Sequence, residues 1–160
     1  MDGLSILGRR FYWSLRRRGL AGTLGHTGRR IFRRKTPSWT RPEGEEAADQ
    51  AFDREFSVET AGIVRLKNLS VADSSWVYGI DYEPISEGLF HAALGELDIP
   101  FEEFTFVDLG SGKGKALLLA AAYPFKQVIG VEIAPDLNTA AETNIGRYTG
   151  PREAASITTL

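Results

Sequence analysis

The sequence predicts an α/β fold in which parallel strands alternate with helices, and three observations support this. The first is an apolar run, residues 104–109, with the length and the β-branched and aromatic content of a buried strand. The second is the turn that follows, which leads into the helix-forming run 116–122 and has glycine at alternate positions, namely Gly110, Gly112 and Gly114. The third is a second strand pattern over residues 127–133, after which Pro135 suits the first turn of another helix. Strand, glycine turn and helix in this order form the entry to a nucleotide-binding unit.

Composition limits the chemistry that the chain can perform. Its 160 residues are enough for one domain. It contains no cysteine, which excludes disulfides and cysteine-based zinc or thiol chemistry. The two histidines, His26 and His91, are isolated in the sequence, so we expect no metal site. No apolar run reaches the ~20 residues that a membrane-spanning helix needs.

Charge is divided unevenly along the chain. Residues 1–41 hold 11 Lys and Arg against one acid, a net charge of +10, whereas residues 42–160 hold 8 against 20, a net charge of −12. Within this basic arm, residues 3–18 fit an amphipathic helix whose apolar face carries Leu4, Leu7, Phe11 and Leu15. Such an arm suits an anionic membrane surface, nucleic acid or an acidic partner chain, and it equally suits an arm that packs on its own domain.

The arm also bears on localisation. Arginines interrupt any apolar core of a secretory signal, while the Arg-rich composition, nearly free of acids, is compatible with a mitochondrial transit peptide. We therefore expect a cytoplasmic protein, with peripheral membrane association or organellar targeting through the arm as alternatives.

Residues 42–75 are expected to form a linker and an irregular segment ahead of the domain at 76–160. Prolines and glycine interrupt any periodicity as far as Gly44. A short helix is predicted over residues 47–56, and the weak alternation of residues 61–69 is typical of an extended segment. Residues 70–80 have no regular pattern.

A helix is predicted immediately before the glycine-rich region. Pro84 biases the residue before it toward an extended conformation, and Ser86 can cap a helix that runs to about Leu97. The predicted apolar face of this helix carries Leu89, Phe90, Ala93, Leu94 and Leu97. Residues 98–100 close the helix just before the first strand.

The glycine loop admits three interpretations. A phosphate-binding P-loop requires Gly-Lys-Ser/Thr, but here Gly114 follows Lys113, so that interpretation fails. A dinucleotide fingerprint requires a third glycine or alanine where Lys115 stands, which weakens an NAD or FAD site. The remaining pattern is Asp-x-Gly-x-Gly-x-Gly, beginning at Asp108. Glu132 supports it, because an acid 22 residues after Gly110, at the end of the second strand, can accept both hydroxyls of a ribose.

These motifs resemble those of class I S-adenosylmethionine-dependent methyltransferases. The string Phe-Val-Asp-Leu-Gly-Ser-Gly-Lys-Gly followed by Ile-Gly-Val-Glu is most similar to the non-SET histone-lysine methyltransferase-like group. The resemblance covers residues 76–145 and implies a Rossmann-like methyltransferase sheet. It also implies S-adenosyl-L-methionine as cofactor and methyl transfer to an acceptor, with protein lysine favoured.

The same resemblance implies a role for each site residue. Asp108 would order the loop and reach the methionine amino group. Glu132 would bind the ribose hydroxyls, and Ile133 would pack on adenine. Tyr82 and Pro84 would form a lid over the methionine end of the cofactor. The remaining cofactor contacts would come from the loop itself, at Gly110, Ser111, Gly112 and Gly114.

The domain is expected to stop short of a complete sheet. A methyltransferase fold of this class has about seven strands, whereas the pattern places two, and residues 155–160 begin a third. We therefore expect the chain to be an amino-terminal fragment, truncated after the second strand–helix unit, with catalytic residues beyond residue 160. The alternative function is a non-catalytic cofactor-binding or tethering module that uses the basic arm.

Overall fold

A computed structural model describes residues 43–70 and 81–160. The helices are α1 (Glu45–Phe56), α2 (Glu87–Gly95), α3 (Lys115–Ala120) and α4 (Pro135–Arg147). The strands are β1 (Thr105–Leu109), β2 (Gln127–Val131) and β3 (Ile157–Thr159), and short 3₁₀ turns occupy Leu66–Asn68 and Phe101–Glu103. The predicted basic arm with its helix, and residues 71–80, lie outside the described residues.

The three strands form one parallel sheet in the order β1-β2-β3. Each consecutive pair is joined by a helix, α3 or α4, as parallel connections require. The predicted α/β class and the two strand–helix units are confirmed. The expected third strand also forms, although it is only three residues long.

Helices α3 and α4 lie against the same face of the sheet. Leu117 of α3 packs where a side chain at Gly130 would lie, because a Cβ built there would be 2.6 Å from its Cδ1 atom. From α4, Asn138 accepts a 2.5 Å hydrogen bond from the Thr159 hydroxyl. Gly130 and Thr159 are partners across β2 and β3, so both helices cover the face to which these two residues belong.

The opposite face of the sheet is exposed, which corrects the prediction of a buried first strand. Val107 and Leu109 of β1 are 52% and 79% exposed, and Val131 of β2 is 39% exposed. These three side chains share one face because Leu109 pairs with Val131 and alternate residues of a strand point the same way. No described helix covers this face, since both crossovers lie on the other side.

Helix α2 buries a narrower stripe than its sequence predicted. It begins after Ser86 as expected, but the Ser86 side chain makes no capping hydrogen bond. Only Phe90 and Leu94 are buried, while Leu89 is 64% exposed. Leu97 follows the end of the helix and is also exposed, so the expected five-residue apolar face is wrong.

The segment upstream of α2 also differs from its prediction. Residues 61–69 were expected to be extended, but they hold a single antiparallel bridge, Val64 to Tyr82, and then a 3₁₀ turn. The Asp81 carboxylate accepts a hydrogen bond from the Leu66 N–H at 2.9 Å and so stabilises that turn. Alternation in a sequence cannot reveal such a side-chain acceptor 15 positions away.

Helix α1 confirms the predicted helix at 47–56 and begins two residues earlier, after Gly44. Its Phe52 side chain is buried in the same apolar cluster as Leu117 of α3. Part of the segment expected to be a linker therefore packs on the sheet-bearing domain. Within the described ranges, no helix has the length and apolarity to cross a membrane.

Candidate functional site

A cavity of about 440 Å³ lies at the carboxyl ends of β1 and β2. Ligand sites of open α/β sheets form at this end of the strands, and the volume is within the range usual for small-molecule sites. The structure brings eight of the nine predicted site residues to its wall: Tyr82, Pro84, Asp108, Gly110, Ser111, Gly112, Glu132 and Ile133.

The glycine loop needs its glycines for conformation. Gly110, Gly112 and Gly114 have φ values of +85°, +55° and +84°, a region that residues with a Cβ rarely adopt. The loop turns back on the neighbouring strand, since the N–H groups of Gly110 and Ser111 both donate to the Val131 carbonyl. The Gly114 N–H donates to the Ser111 carbonyl at 2.8 Å. Three loop N–H groups are therefore satisfied within the protein.

Glu132 joins the glycine loop to the start of α4. One carboxylate oxygen accepts the Gly112 N–H at 2.8 Å, and the other accepts the Ala134 N–H at 2.8 Å. Ala134 directly precedes α4, so the side chain spans the gap between the loop and the helix. Each oxygen has further acceptor capacity, which leaves the carboxylate able to accept hydroxyl donors from a ligand.

Gly112 is also required for a close approach by Tyr82. A Cβ at this position would lie 2.2 Å from the Tyr82 ring, which therefore packs directly on the loop backbone. The Tyr82 hydroxyl donates to the Thr60 carbonyl at 2.7 Å, which fixes the ring in this position. Pro84 is buried beside it. The two predicted lid residues thus form a fixed wall of the cavity.

Two positions of the loop contribute to packing within the domain. The hydroxyl of Ser111 is buried, makes no hydrogen bond, and lies 2.7 Å from where a Cβ of Gly130 would be. Gly114 does not line the cavity; a Cβ there would be 3.2 Å from that of Ala141, so this glycine allows α3 and α4 to pack closely. The side chain of Ser111 and the position of Gly114 thus serve packing.

Asp108 and Glu132 lie close enough to influence each other. Burial raises the pKa of Asp108, and the negative charge of Glu132 raises it further. The pKa of Asp81, which also lies in the cavity wall, is shifted in the opposite direction. A hydrogen bond from the Leu66 N–H, followed by one from the Arg65 side chain, holds this pKa below the ordinary value. The wall thus contains several carboxylates in different electrostatic environments.

Lys115 is a residue whose role the sequence did not reveal. It is 2% exposed and forms a buried ion pair with Asp49 of α1. Its ammonium also lies 4.9 Å from the centre of the Phe52 ring. The sequence indicated only that Lys115 replaces the third glycine of a dinucleotide fingerprint. Its partner is 66 positions away and carries no local signal.

Residues 66–70 supply a further part of the wall that the sequence did not predict. Leu66 and Leu69 line the cavity, as does Leu137 of α4. This segment is held against α4 because the Ser70 N–H donates to the Asp136 carboxylate at 2.9 Å. Asp136 lies in the first turn of α4, where an acid also complements the helix dipole, so the sequence alone does not indicate this contact.

The buried side-chain amide of Asn144 holds the glycine loop in place. Asn144 of α4 accepts the Glu59 N–H at 2.8 Å and donates to the Lys113 carbonyl at 2.9 Å. Asp53 of α1 accepts three hydrogen bonds from Thr60 and Ala61, and so orders the segment to which Asn144 and Tyr82 attach. The glycine loop is therefore supported by α1, α4 and the segment that follows α1.

Comparison with known proteins assigns no family to this arrangement: no family model matches the chain, and neither does any curated protein. In the ranges 43–70 and 81–160, His, Asp and Glu side chains form no group of three that could hold a metal ion.

Proposed function

We propose that the chain binds S-adenosyl-L-methionine and belongs to a protein that transfers its methyl group, with protein lysine as the favoured acceptor. The observation that carries this proposal is the cavity in which Asp108, the glycine loop and Glu132 meet at adjacent strand ends. A ligand with a ribose and a cationic amino-acid part matches a wall of backbone, carboxylates and apolar side chains.

The hydrogen bonds of the loop favour this ligand over NAD or FAD. A pyrophosphate is bound by backbone N–H groups that point at the ligand. Here the N–H groups of Gly110 and Ser111 donate to Val131, and that of Gly112 donates to Glu132. Among the described residues the cavity wall contains one cation, Lys115, and its charge is matched by Asp49. An anionic ligand would find little to neutralise it.

Methyl transfer depends more on alignment of the reactants than on a reactive side chain of the protein. The sulfonium of the cofactor supplies an activated methyl group. The protein has to hold that group in line with a nucleophile and keep water away. A lysine acceptor must reach the site as a neutral amine, which requires loss of a proton before transfer.

Calorimetric titration tests the binding step. We expect S-adenosylhomocysteine to bind the wild-type chain and NAD not to bind. Glu132→Gln should weaken binding at least ~10-fold, because one ribose acceptor becomes a donor; a hydrogen bond to a charged group contributes ~1.5–3 kcal/mol. Glu142→Gln, an exposed position on α4, is the matched control and should bind as wild type. Binding of NAD but not of the adenosyl ligand would contradict the proposal.

A second assay addresses transfer. The chain is incubated with S-adenosylmethionine labelled in the methyl group and with poly-L-lysine, and label in the polymer is measured against the Glu132→Gln variant. Incorporation supports methyl transfer by this chain. Cofactor binding without incorporation would show that this chain binds the cofactor but does not by itself catalyse transfer, which the alternative of a non-catalytic cofactor-binding module also predicts.

The charge of residues 1–41 favours a second candidate function, tethering to an anionic surface or partner. Each Arg near an anionic membrane contributes ~1 kcal/mol to binding. Replacing Arg29, Arg30, Arg33 and Arg34 by Gln should then abolish salt-sensitive retention on phosphatidylserine vesicles. Retention on DNA would indicate a nucleic-acid partner, and retention on neither would exclude both surfaces.

A further inference from the structure

Residues 59–61, which we call the support segment, lie outside the cavity wall but are attached to the glycine loop. The Glu59 N–H donates to the Asn144 side chain at 2.8 Å, and the same side chain donates to the Lys113 carbonyl at 2.9 Å. The Lys113 ammonium in turn donates to the Ala61 carbonyl at 2.8 Å. The loop is therefore attached to the support segment through both the backbone and the side chain of Lys113.

The support segment also holds Tyr82, the aromatic part of the cavity wall. The Thr60 carbonyl accepts the Tyr82 hydroxyl at 2.7 Å, and the Tyr82 ring packs on the backbone of Gly112. The Lys113 ammonium lies 5.5 Å from the centre of the same ring. Because the ring and the glycine loop share one support, a shift of the support segment would move both.

Asp53 and Asn144 fix the support segment from two different helices. The Asp53 carboxylate of α1 accepts the Thr60 N–H, the Thr60 hydroxyl and the Ala61 N–H at 2.7 to 2.9 Å. On α4, Asn144 is 2% exposed, and its amide also donates to the Glu59 carbonyl at 3.3 Å. Asp53 and Asn144 both lie outside the cavity wall.

The glycine loop depends on this support because glycine restricts the backbone little. Lys113 lies between Gly112 and Gly114, whose φ values are +55° and +84°. The hydrogen bond from Asn144 therefore fixes the orientation of the Lys113 carbonyl, which the neighbouring glycines would leave free to change. Such a change would reach the adjacent Gly112, whose N–H donates to the Glu132 carboxylate at 2.8 Å.

We propose that Asp53 and Asn144 are positioning residues for the ligand of this cavity. Acting through the support segment, they hold the glycine loop and Tyr82 in the geometry that binds the ligand. The ligand then does not have to order these groups, which avoids part of the entropy cost of binding. The identity of the ligand rests on the proposed function, whereas the effect on the loop does not.

Hydrogen exchange in the ligand-free 160-residue chain tests the effect on the loop. The fully buried Val128 N–H of β2 reports global opening. In Asn144→Ala we expect the Gly112 N–H to exchange at least ~5-fold faster relative to Val128, because the loop opens locally. Asn138→Ala removes the acceptor of the Thr159 hydroxyl from the same helix, and this matched control should leave the ratio unchanged.

Calorimetric titration of S-adenosylhomocysteine tests the effect on binding. Asp53→Ala and Asn144→Ala should each weaken binding at least ~5-fold, because the ligand must then order the loop. The controls are Asn138→Ala on α4 and Glu46→Ala at an exposed position of α1, and both should bind as wild type. A merely structural role would lower thermal stability without changing the affinity of the folded protein.

Lys113 offers a test with a milder substitution. Lys113→Met keeps the apolar stem but loses the hydrogen bond to Ala61, so it should weaken binding ~2-fold or more. Lys113→Arg keeps a donor and should restore binding. If Asp53→Ala or Asn144→Ala does not fold, as judged by circular dichroism, this pair of variants decides the inference.

The outcomes distinguish this inference from the proposed function. Unchanged Gly112 exchange and unchanged affinity in Asn144→Ala would overturn the inference and leave the proposed function in place. An equal loss of affinity in Asn138→Ala would also overturn it, because global stability would then be the cause. Faster Gly112 exchange in Asn144→Ala, with no binding of S-adenosylhomocysteine by the wild-type chain, would support the positioning role and overturn the proposed function.

Discussion

Asp108 shows how one carboxyl group can bear on both stability and binding. Burial, and then the charge of Glu132, raise its pKa above the value of 3.8 expected in the unfolded chain. The folded state therefore holds this proton more tightly than the unfolded state does. Its contribution to stability is fully present below pH 3.8 and is lost as the pH rises through the folded-state pKa.

Above its pKa, Asp108 is charged and partly buried beside Glu132, which costs stability. Asp108→Asn should remove this cost, because the amide is neutral at every pH. We expect the variant to be more stable than wild type at pH 7, by less than ~1 kcal/mol since the group is only partly buried. The difference should shrink as the pH approaches 4. Thermal unfolding from pH 4 to pH 8 measures it, with Glu102→Gln as control. A difference that does not change with pH would contradict the assignment.

Gly130 illustrates a residue whose size matters more than its flexibility. A Cβ there would lie 2.6 Å from the Leu117 Cδ1 atom and 2.7 Å from the Ser111 hydroxyl oxygen. Gly130→Ala should destabilise the protein by ~1–3 kcal/mol through overpacking. In Gly146→Ala the new methyl group meets no atom within 4 Å, and we expect a gain of ~0.5–1 kcal/mol because alanine favours the helix. Urea unfolding of both variants compares them, and equal effects would refute the packing argument.

For single residues, the sequence predicted which ones lie close together but not what each side chain contacts. Asp108, Gly112 and Glu132 could be placed together because parallel strands end at the same edge of a sheet. The burial of the Ser111 hydroxyl could not be predicted, since it depends on the absence of a side chain at Gly130, on the neighbouring strand.

Among the secondary-structure elements, α1 and α3 are joined by a buried ion pair. Removing one partner of such a pair leaves an uncompensated charge in the interior, which costs ~3–5 kcal/mol. We expect Lys115→Met to destabilise the protein by about that amount. Arg65→Met breaks an exposed pair with Asp81 and should have little measurable effect. Denaturant unfolding of both variants tests the contrast, and a small effect of Lys115→Met would show that the pair is solvated.

Elements defined by local signals were predicted well, and those defined by distant contacts were not. Pro135 fixed the start of α4, and the glycine loop fixed the start of α3. The segment that contributes Leu66 and Leu69 to the cavity depends on Asp81 and Asp136, which lie in other segments. No periodicity within residues 61–69 could indicate those acceptors.

For the described part of the molecule as a whole, the sheet presents one covered and one exposed face. Val107→Thr on the exposed face should change stability by no more than ~0.5 kcal/mol. Leu118→Ala, at a fully buried position of α3, should cost ~2–5 kcal/mol. Urea unfolding in the 160-residue chain provides the comparison. A cost for Val107→Thr similar to that for Leu118→Ala would mean that this face is covered in solution.

The sequence could predict the α/β class and the strand–helix alternation of a parallel sheet, but not which face of the sheet is covered. The apolar run 104–109 predicts a buried strand, yet Val107 and Leu109 within it are exposed. Hydrophobicity indicates that a residue can be buried; whether it is buried depends on how many layers pack around the sheet.

The carboxylate of Glu132, which joins the glycine loop to the start of α4, also sets the kinetics expected of the cavity. With Gly110, Ser111 and Gly112 all donating within the protein, the loop is preorganised before any ligand arrives. Binding therefore loses little backbone entropy at the loop. Association therefore does not require the loop to become ordered first. We expect differences in affinity among ligands of this cavity to arise mainly from their dissociation rate constants.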